Sequence, residues 1–284
     1  MSCGLRIVLV GTQHPGNIGA AARAIKTMGL RELVLVAPEK RPDDDSRVMA
    51  VGADDVLGNA RICATLDEAL ADCVLVAGCT ARQRQVQLPE FEPRAAAPRL
   101  LQVAAHSKVA LLFGPERSGL TNEDLQRCHL SIHIPSDPDF SSLNLAAAVQ
   151  VLAYELRLAH LARTIARGEH EVAVDQDRTY GSAHMPANQA AMESFFGHLD
   201  QTLHAIDFHK GRSPEMVLRR LWRLFQRAQP DDRELRILRG ILTDAQRMAR
   251  LAGEVAEPKV TTAATNFTQL EVASQRAADD FSTN

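Results

Sequence analysis

Residues 134–161 read IPSDPDFSSLNLAAAVQVLAYELRLAHL, and this stretch decides the fold class of the 284-residue chain. It begins at the end of an apolar run. Pro135 and Pro138 then exclude a helix or a central strand through the next turn. Ser141, Ser142 and Asn144 are residues that cap the unpaired N–H groups of a helix start. An alanine- and leucine-rich helix, 145–161, follows. A buried strand that passes through a polar loop into a helix N-terminus is where an α/β protein holds a ligand.

The rest of the chain repeats that unit. Leu5–Val10 (LRIVLV) reads as a buried strand. It runs through Gly11-Thr12-Gln13-His14-Pro15-Gly16 into a small-residue helix from Asn17, closed by Gly29. Residues 33–36 form a second strand, and a polar segment, 39–46, precedes a short helix near 47–52. Residues 62–65, 67–72 and 73–78 give strand, helix and strand, leading to the polar loop Cys79-Thr80-Ala81-Arg82. Residues 109–113 run into Gly114-Pro115-Glu116-Arg117-Ser118-Gly119, and 130–134 lead back to the first stretch. This alternation predicts a parallel α/β sheet.

Composition agrees with it. Hydrophobic residues make up 45% and aromatics only 4%, so the core is built from Ala, Val, Leu and Ile, which suits buried parallel strands. A formal charge of −3 and a pI of about 6.4 exclude a global pull toward nucleic acid; such a site must be a local patch. Five scattered cysteines without C-x-x-C argue against a disulfide framework and a structural zinc site. The N-terminus has no leader pattern, and no apolar run reaches the ~18 residues of a membrane span. The expectation is a soluble, cytoplasmic protein with no membrane association.

From residue 163 to 186 charges, Gly168, Gly181 and Pro186 break the periodicity. Beyond lie three amphipathic stretches. The first carries Met192, Phe195, Phe196, Leu199, Leu203 and Ile206. The second starts at Ser213-Pro214 and carries Leu218, Leu221, Trp222 and Phe225. The third carries Leu235, Leu238, Leu242, Ala245 and Ala249. The expected organisation is an α/β domain over 1–164, a linker over 165–187, an all-α domain over 188–256 and a loosely ordered tail over 257–284.

Several chemistries are excluded by what the loops lack. There is no G-x-G-x-x-G, and Asn17 stands where a phosphate-binding loop needs Lys. Glu39 is the only candidate for the acidic ribose ligand of a dinucleotide site. No H-E-x-x-H, no G-x-S-x-G and no metal cluster stands out, so no metal is expected. His129 and His133 read as ordinary strand-edge histidines. What remains is loops with few carboxylates, many backbone N–H groups, small hydroxyls and an Arg, which suits an adenosyl ligand held by main-chain contacts and not hydrolysis.

Three motifs stand in order over roughly residues 5–160. They are N-x-G-x-x-x-R (Asn17, Gly19, Arg23), FGPERSGL (113–120) and IP…SSLNLAAAVQ (134–150). Together they resemble the SpoU/TrmH branch of the SPOUT RNA ribose methyltransferases. Within that branch TQHPGNIGAAARA, the Thr80-Ala81-Arg82 loop and the helical extension look most like the members that methylate the 2′-hydroxyl of nucleotide thirty-two in the tRNA anticodon loop.

The resemblance implies a knotted α/β domain with a deep trefoil knot, which general rules of chain topology would never suggest. It implies S-adenosylmethionine bound by Cys79, Thr80 and Ala81, by Gly114 and Glu116, and by Ile134, Ser141, Ser142, Leu143 and Asn144. It also implies a homodimer in which the partner's Arg23 completes each RNA site, with tRNA as substrate. Catalytic roles then fall to Arg23, Asn17, Glu116, Ser142 and Asn144, with Asn17 orienting Arg23. An arginine, protonated below a pKa of about 12, is a better holder of phosphate and alkoxide than a base. The helix 145–161 would lie at the knot and the dimer seam.

An RNA grip needs local positive charge. Lys210, Arg212, Arg219, Arg220, Arg223 and Arg227 face one acid, Glu215, and Arg219, Arg223 and Arg227 make one stripe at i, i+4 and i+8. With Arg23 and Arg82 they are the expected RNA contacts. Two other readings remain: an rRNA ribose methyltransferase of the same superfamily, and a non-catalytic RNA-binding protein. The lack of a basic N-terminal module weighs against the former, and the retention of Arg23, Asn144 and Glu116 against the latter.

Overall fold

A computed structural model describes residues 4–81, 86, 88–169, 185–210 and 213–256. In chain order the elements are β1 (Leu5–Val10), α1 (Pro15–Thr27), β2 (Glu32–Val36), α2 (Asp44–Ala50), α3 (Asp54–Gly58), β3 (Arg61–Cys63), α4 (Leu66–Leu70), β4 (Cys73–Cys79) and β5 (Glu90–Phe91). There follow α5 (Pro93–Ala104), β6 (Lys108–Phe113), α6 (Asn122–Gln126), β7 (Leu130–Ile132), α7 (Leu145–Glu169), α8 (Gln189–Ala205), α9 (Pro214–Ala228) and α10 (Asp232–Ala256).

The strands form one sheet in the order β3-β2-β1-β6-β4-β7-β5, and each pair is parallel. Alternate residues of β1 explain its two-faced core. Leu5, Ile7 and Leu9 pack with Ile18, Ile25, Leu100, Val149 and Leu156 under α1, α5 and α7. Val8 points the other way, to Leu70, Leu125 and Cys128 under α4 and α6. Arg6 shares that second face. It is 4% exposed and holds Asp72 through two bonds of 2.6 and 2.7 Å, so its buried charge is paired.

Because every strand runs the same way, the loops after β1, β6, β4 and β7 emerge along one edge, and these four strands are neighbours. Glycine at 19 allows the helices beside them to close: a Cβ there would run into the Ser46 backbone, while Ser46 Oγ donates to the Pro15 carbonyl at 2.9 Å.

Four elements are absent from the sequence reading: α3, β5, α5 and α6. Pro98 inside α5 interrupts its pattern, and α3, β5 and α6 are too short to carry one. Helix α7 runs to Glu169, six residues beyond the expected break at 163, because no helix breaker stands before Gly168. The expectation that no segment is long and apolar enough for a membrane also needs correcting: 145–165 is, by length and composition. Its first turns supply Leu145, Val149, Leu152 and Leu156 to the core. The expected tail after residue 256 lies outside the described residues.

Helices α8 to α10 enclose their own core of Phe195, Phe196, Leu199, Leu203 and Leu235, with Trp222 and Phe225 packed against it. Ile206, expected on this face, is 42% exposed. Helix α8 and the residues leading into it rest where strands begin. Ala190 N–H donates to the Ala71 carbonyl just before β4 at 3.1 Å, Ser107 just before β6 meets Met185 Sδ at 3.6 Å, and Arg127 pairs with Asp67 and Glu193.

Candidate functional site

The loops at the strand ends enclose one cleft. It is lined by Cys79, Thr80 and Ala81 after β4, by 113–119 at and after β6, and by Ile134, Ser141, Ser142 and Leu143 after β7, with Leu145 and Ala148 of α7 as an apolar wall. The loop bonds are internal. Thr80 N–H donates to the Ile132 carbonyl at 3.0 Å and Gly119 N–H to the Pro115 carbonyl at 2.8 Å; Ser136 Oγ donates to the Ser141 carbonyl at 3.1 Å. Gly114 is indispensable to this shape, since a Cβ there would collide with the backbone of Gly119 and Leu120.

Three polar side chains join the cleft to α1. Asn17 Nδ2 donates to Glu116 Oε1 at 2.8 Å, and Asn144 Nδ2 donates to Asn17 Oδ1 at 3.1 Å. The other carboxylate oxygen, Glu116 Oε2, accepts from Gln13 N–H at 3.0 Å, and His14 N–H reaches Oε1 at 3.3 Å. Asn144 also caps α7, its Oδ1 accepting from Ala146 N–H at 2.9 Å. Burial raises the Glu116 carboxyl, but the bonds from Asn17, Gln13, its own N–H and His14 outweigh it and hold the group below the usual carboxylate range. Glu116 is therefore an anion that fastens its own loop to the loop after β1 and to α1.

Cys79 is no nucleophile. Burial pushes its thiol up to about 12, so it stays protonated at neutral pH and offers the cleft its backbone and a small apolar surface. His129 accepts from Val76 N–H at 3.1 Å and burial pushes it down to about 4; it is a neutral structural residue. His133 Nδ1 lies 3.3 Å from the Thr80 carbonyl.

The structure brings together Cys79, Thr80, Ala81, Gly114, Glu116, Ile134, Ser141, Ser142 and Leu143, with Asn17 and Asn144 bonded at the rim. Arg23 stands apart. It is exposed on α1 and does not line the cleft of its own chain. The expected orienting contact from Asn17 is not made, because Asn17 is engaged by Glu116 and Asn144 and because six residues along a helix turn the side chain by about 120°. Arg117, an exposed cation in the cleft wall, and the Glu116 donors Gln13 and His14 were not singled out in the sequence. FGPERSGL contained Arg117, but nothing local marks the backbone of 13–14 as a partner.

Of the expected RNA contacts, Arg82 and Arg212 lie outside the described residues. Lys210, Arg219 and Arg227 are exposed and Arg223 is half-buried. The stripe is not a free face. Arg219 and Arg223 overhang a cavity shared by α9 with Asp67, Arg127 and Glu193, and Arg223 and Arg227 line a second beside Arg99, His129 and Leu130.

Residues 4–154 match the SpoU rRNA Methylase family, and residues 190–254 match the C-terminal domain of the tRNA methyltransferase TrmJ. The chain is 50% identical over 242 residues to the tRNA (cytidine/uridine-2'-O-)-methyltransferase TrmJ of Escherichia coli K12, covering 85% of this chain and 95% of that one. The crystal structure of TrmJ from Z. mobilis ZM4 superposes with a TM-score of 0.70 at 34% identity, covering 84% and 97% of the two chains. A methylase family protein from Haemophilus influenzae Rd KW20 gives a TM-score of 0.56 at 39% identity, covering 89% and 100%. The chain belongs to the SpoU methylase family, with the TrmJ helical domain behind the catalytic one, and is a methyltransferase.

Proposed function

We propose that this enzyme transfers a methyl group from S-adenosylmethionine to the ribose 2′-hydroxyl of cytidine or uridine at position thirty-two of the tRNA anticodon loop. The observation that carries this reading is the Asn144–Asn17–Glu116 chain of hydrogen bonds, which locks the cleft onto helix α1. The relatives are named for 2'-O-methylation of cytidine or uridine in tRNA.

The lining fits the donor. Ile134, Leu143, Leu145 and Ala148 give an apolar wall for an adenine ring, while Thr80, Ser141 and Ser142 bring small hydroxyls and backbone groups for ribose and amino-acid ends. The single carboxylate, Glu116, is already engaged, so it holds the loops instead of competing for the ligand. When bound, S-adenosylmethionine supplies a sulfonium methyl, whose transfer to the 2′-oxygen leaves the electron pair on sulfur and releases the hydroxyl proton. The chain's part is alignment of acceptor and donor. A guanidinium next to the acceptor holds the adjacent phosphate and stabilises the developing alkoxide.

In one chain no described residue places Arg23 at the cleft, which favours a homodimer in which the partner's Arg23 completes each site. The exposed apolar residues Tyr154, Leu158, Leu161 and Ile165 of α7 suit the seam of that dimer. The same reading gives residues 1–164 the donor site and a trefoil knot, 165–187 the linker, 188–256 the tRNA contact and 257–284 a tail.

The test is methyl incorporation into tRNA transcripts carrying single 2′-deoxy substitutions. Loss at nucleotide thirty-two alone is the expected result. Transfer that persists there, or that goes to ribosomal RNA fragments instead, overturns the reading.

A further inference from the structure

The helical domain contains a cluster that the methyl-transfer chemistry does not use. Asp200 and His204 lie one turn apart on α8, and His209 follows in the turn after it. Their ligand-type atoms fall within 4.8 Å of one another. The rings of His204 and His209 meet at 4.9 Å between centroids.

Burial sharpens the geometry. His209 is only 8% exposed, and neither of its ring nitrogens has a hydrogen-bond partner; Asp200 Oδ1 lies 3.2 Å from His204 Nδ1. A buried imidazole with both nitrogens empty costs roughly 1–3 kcal/mol per missing bond, and native proteins rarely tolerate it. His204 is already oriented. Its Nδ1 lies 2.9 Å from the Asp200 carbonyl and 3.2 Å from Asp200 Oδ1, both acceptors, so Nδ1 carries the proton and Nε2 keeps a lone pair. A backbone carbonyl holding the far nitrogen is how metal-binding histidines are set.

We propose that Asp200, His204 and His209 bind a divalent transition-metal ion of the zinc type, tying the end of α8 to the turn that follows. Two imidazoles and a carboxylate are a borderline donor set suited to Zn²⁺, with water in the fourth position. The ligand atoms need to close by roughly an ångström to reach ordinary zinc–ligand distances, a movement within reach of a turn and a half-exposed helix end. The bound ion would fix the turn that carries Asp207 and Lys210, both at left-handed φ of 50° and 43°. A D-x-x-x-H-x-x-x-x-H spacing fits no standard motif, so the sequence reading found no metal here.

The experiment uses the full chain, free of any histidine tag and treated with chelator, titrated with Zn²⁺ by calorimetry and followed by thermal unfolding. One equivalent should bind per chain and raise the unfolding temperature. His204→Ala, at an exposed position that leaves folding intact, should weaken binding about tenfold or more and abolish the thermal shift. Asp200→Asn should weaken it similarly, whereas His160→Ala, far along α7, should leave it unchanged. Absence of binding to the wild-type chain overturns the proposal. So does binding that survives both His204→Ala and Asp200→Asn, which would assign the metal to the other surface histidines.

Discussion

Asn17 Nδ2 donates to Glu116 Oε1 at 2.8 Å across 99 residues of sequence, and with the N–H groups of Gln13 and His14 this bond fastens helix α1 to the loop after β6. Removing either partner leaves the other with an unmet hydrogen bond in a partly buried place, a loss of about 1–3 kcal/mol. Asn17→Ala is expected to lower kcat/KM for tRNA methylation by roughly ten- to a hundredfold. Asn17→Asp, which sets two carboxylates face to face, should be worse. Steady-state kinetics with labelled donor decide it; an Asn17→Ala enzyme with wild-type kinetics would show the link to be incidental.

The same carboxylate makes a prediction about acid. Glu116 is held below the ordinary range in the folded state by bonds that outweigh its burial. Its folded value lies under the unfolded one, so its stabilisation is fully present above the unfolded value of roughly 4.3 and is lost as pH falls through the folded value. Glu116→Gln should flatten the acid limb of a plot of unfolding temperature against pH below that point. Parallel limbs for the two proteins would contradict the assignment.

Arg23 is exposed and makes no described bond, which separates its two roles cleanly. Arg23→Ala should abolish methyl transfer while calorimetry finds donor affinity nearly unchanged. Arg23→Lys keeps the charge but loses the bidentate fork, and partial activity is expected. If donor affinity falls with activity in both variants, Arg23 is a structural residue.

Gly114→Ala should do the reverse. The added methyl meets backbone atoms of Gly119 and Leu120, which cannot rotate away, so the loop over the cleft must move. Donor binding should drop beyond calorimetric detection, whereas the unfolding temperature falls only modestly because the loop lies outside the core.

On α9, a paired Arg219→Glu and Arg223→Glu change should weaken tRNA binding and reduce the slope of log K against log salt by about one for each phosphate that the variant no longer neutralises. An unchanged slope would mean that the two arginines serve only the cavity between α9 and the α/β domain.

How much of this was legible depended on how local the signal was. Leu5–Val10 carries its own strand pattern and Asn144 its own cap chemistry, and both stand where expected. Pro98 concealed α5, since proline inside a helix reads as a stop. The site residues were legible as loop members through their motifs, but the bonding among them was not: Asn144 and Asn17 are 127 positions apart, and only the parallel order β1-β6-β4-β7 brings them together. His209 was invisible for the same reason, because burial is a property of the folded chain.

The cleft opens where strands finish, whereas α8 and the residues leading into it are seated where strands start, at Ala71 and Ser107. Strand β4 spans seven residues, which at ~3.3 Å each sets the two about 20 Å apart. That gap is comparable to the width of a nucleic-acid duplex. A small molecule held in the cleft does not reach the N-terminus of α8 in the same chain. A macromolecule, by contrast, has the bulk to bridge the distance. The length of one strand thus sets how far the cleft stands from the N-terminus of α8.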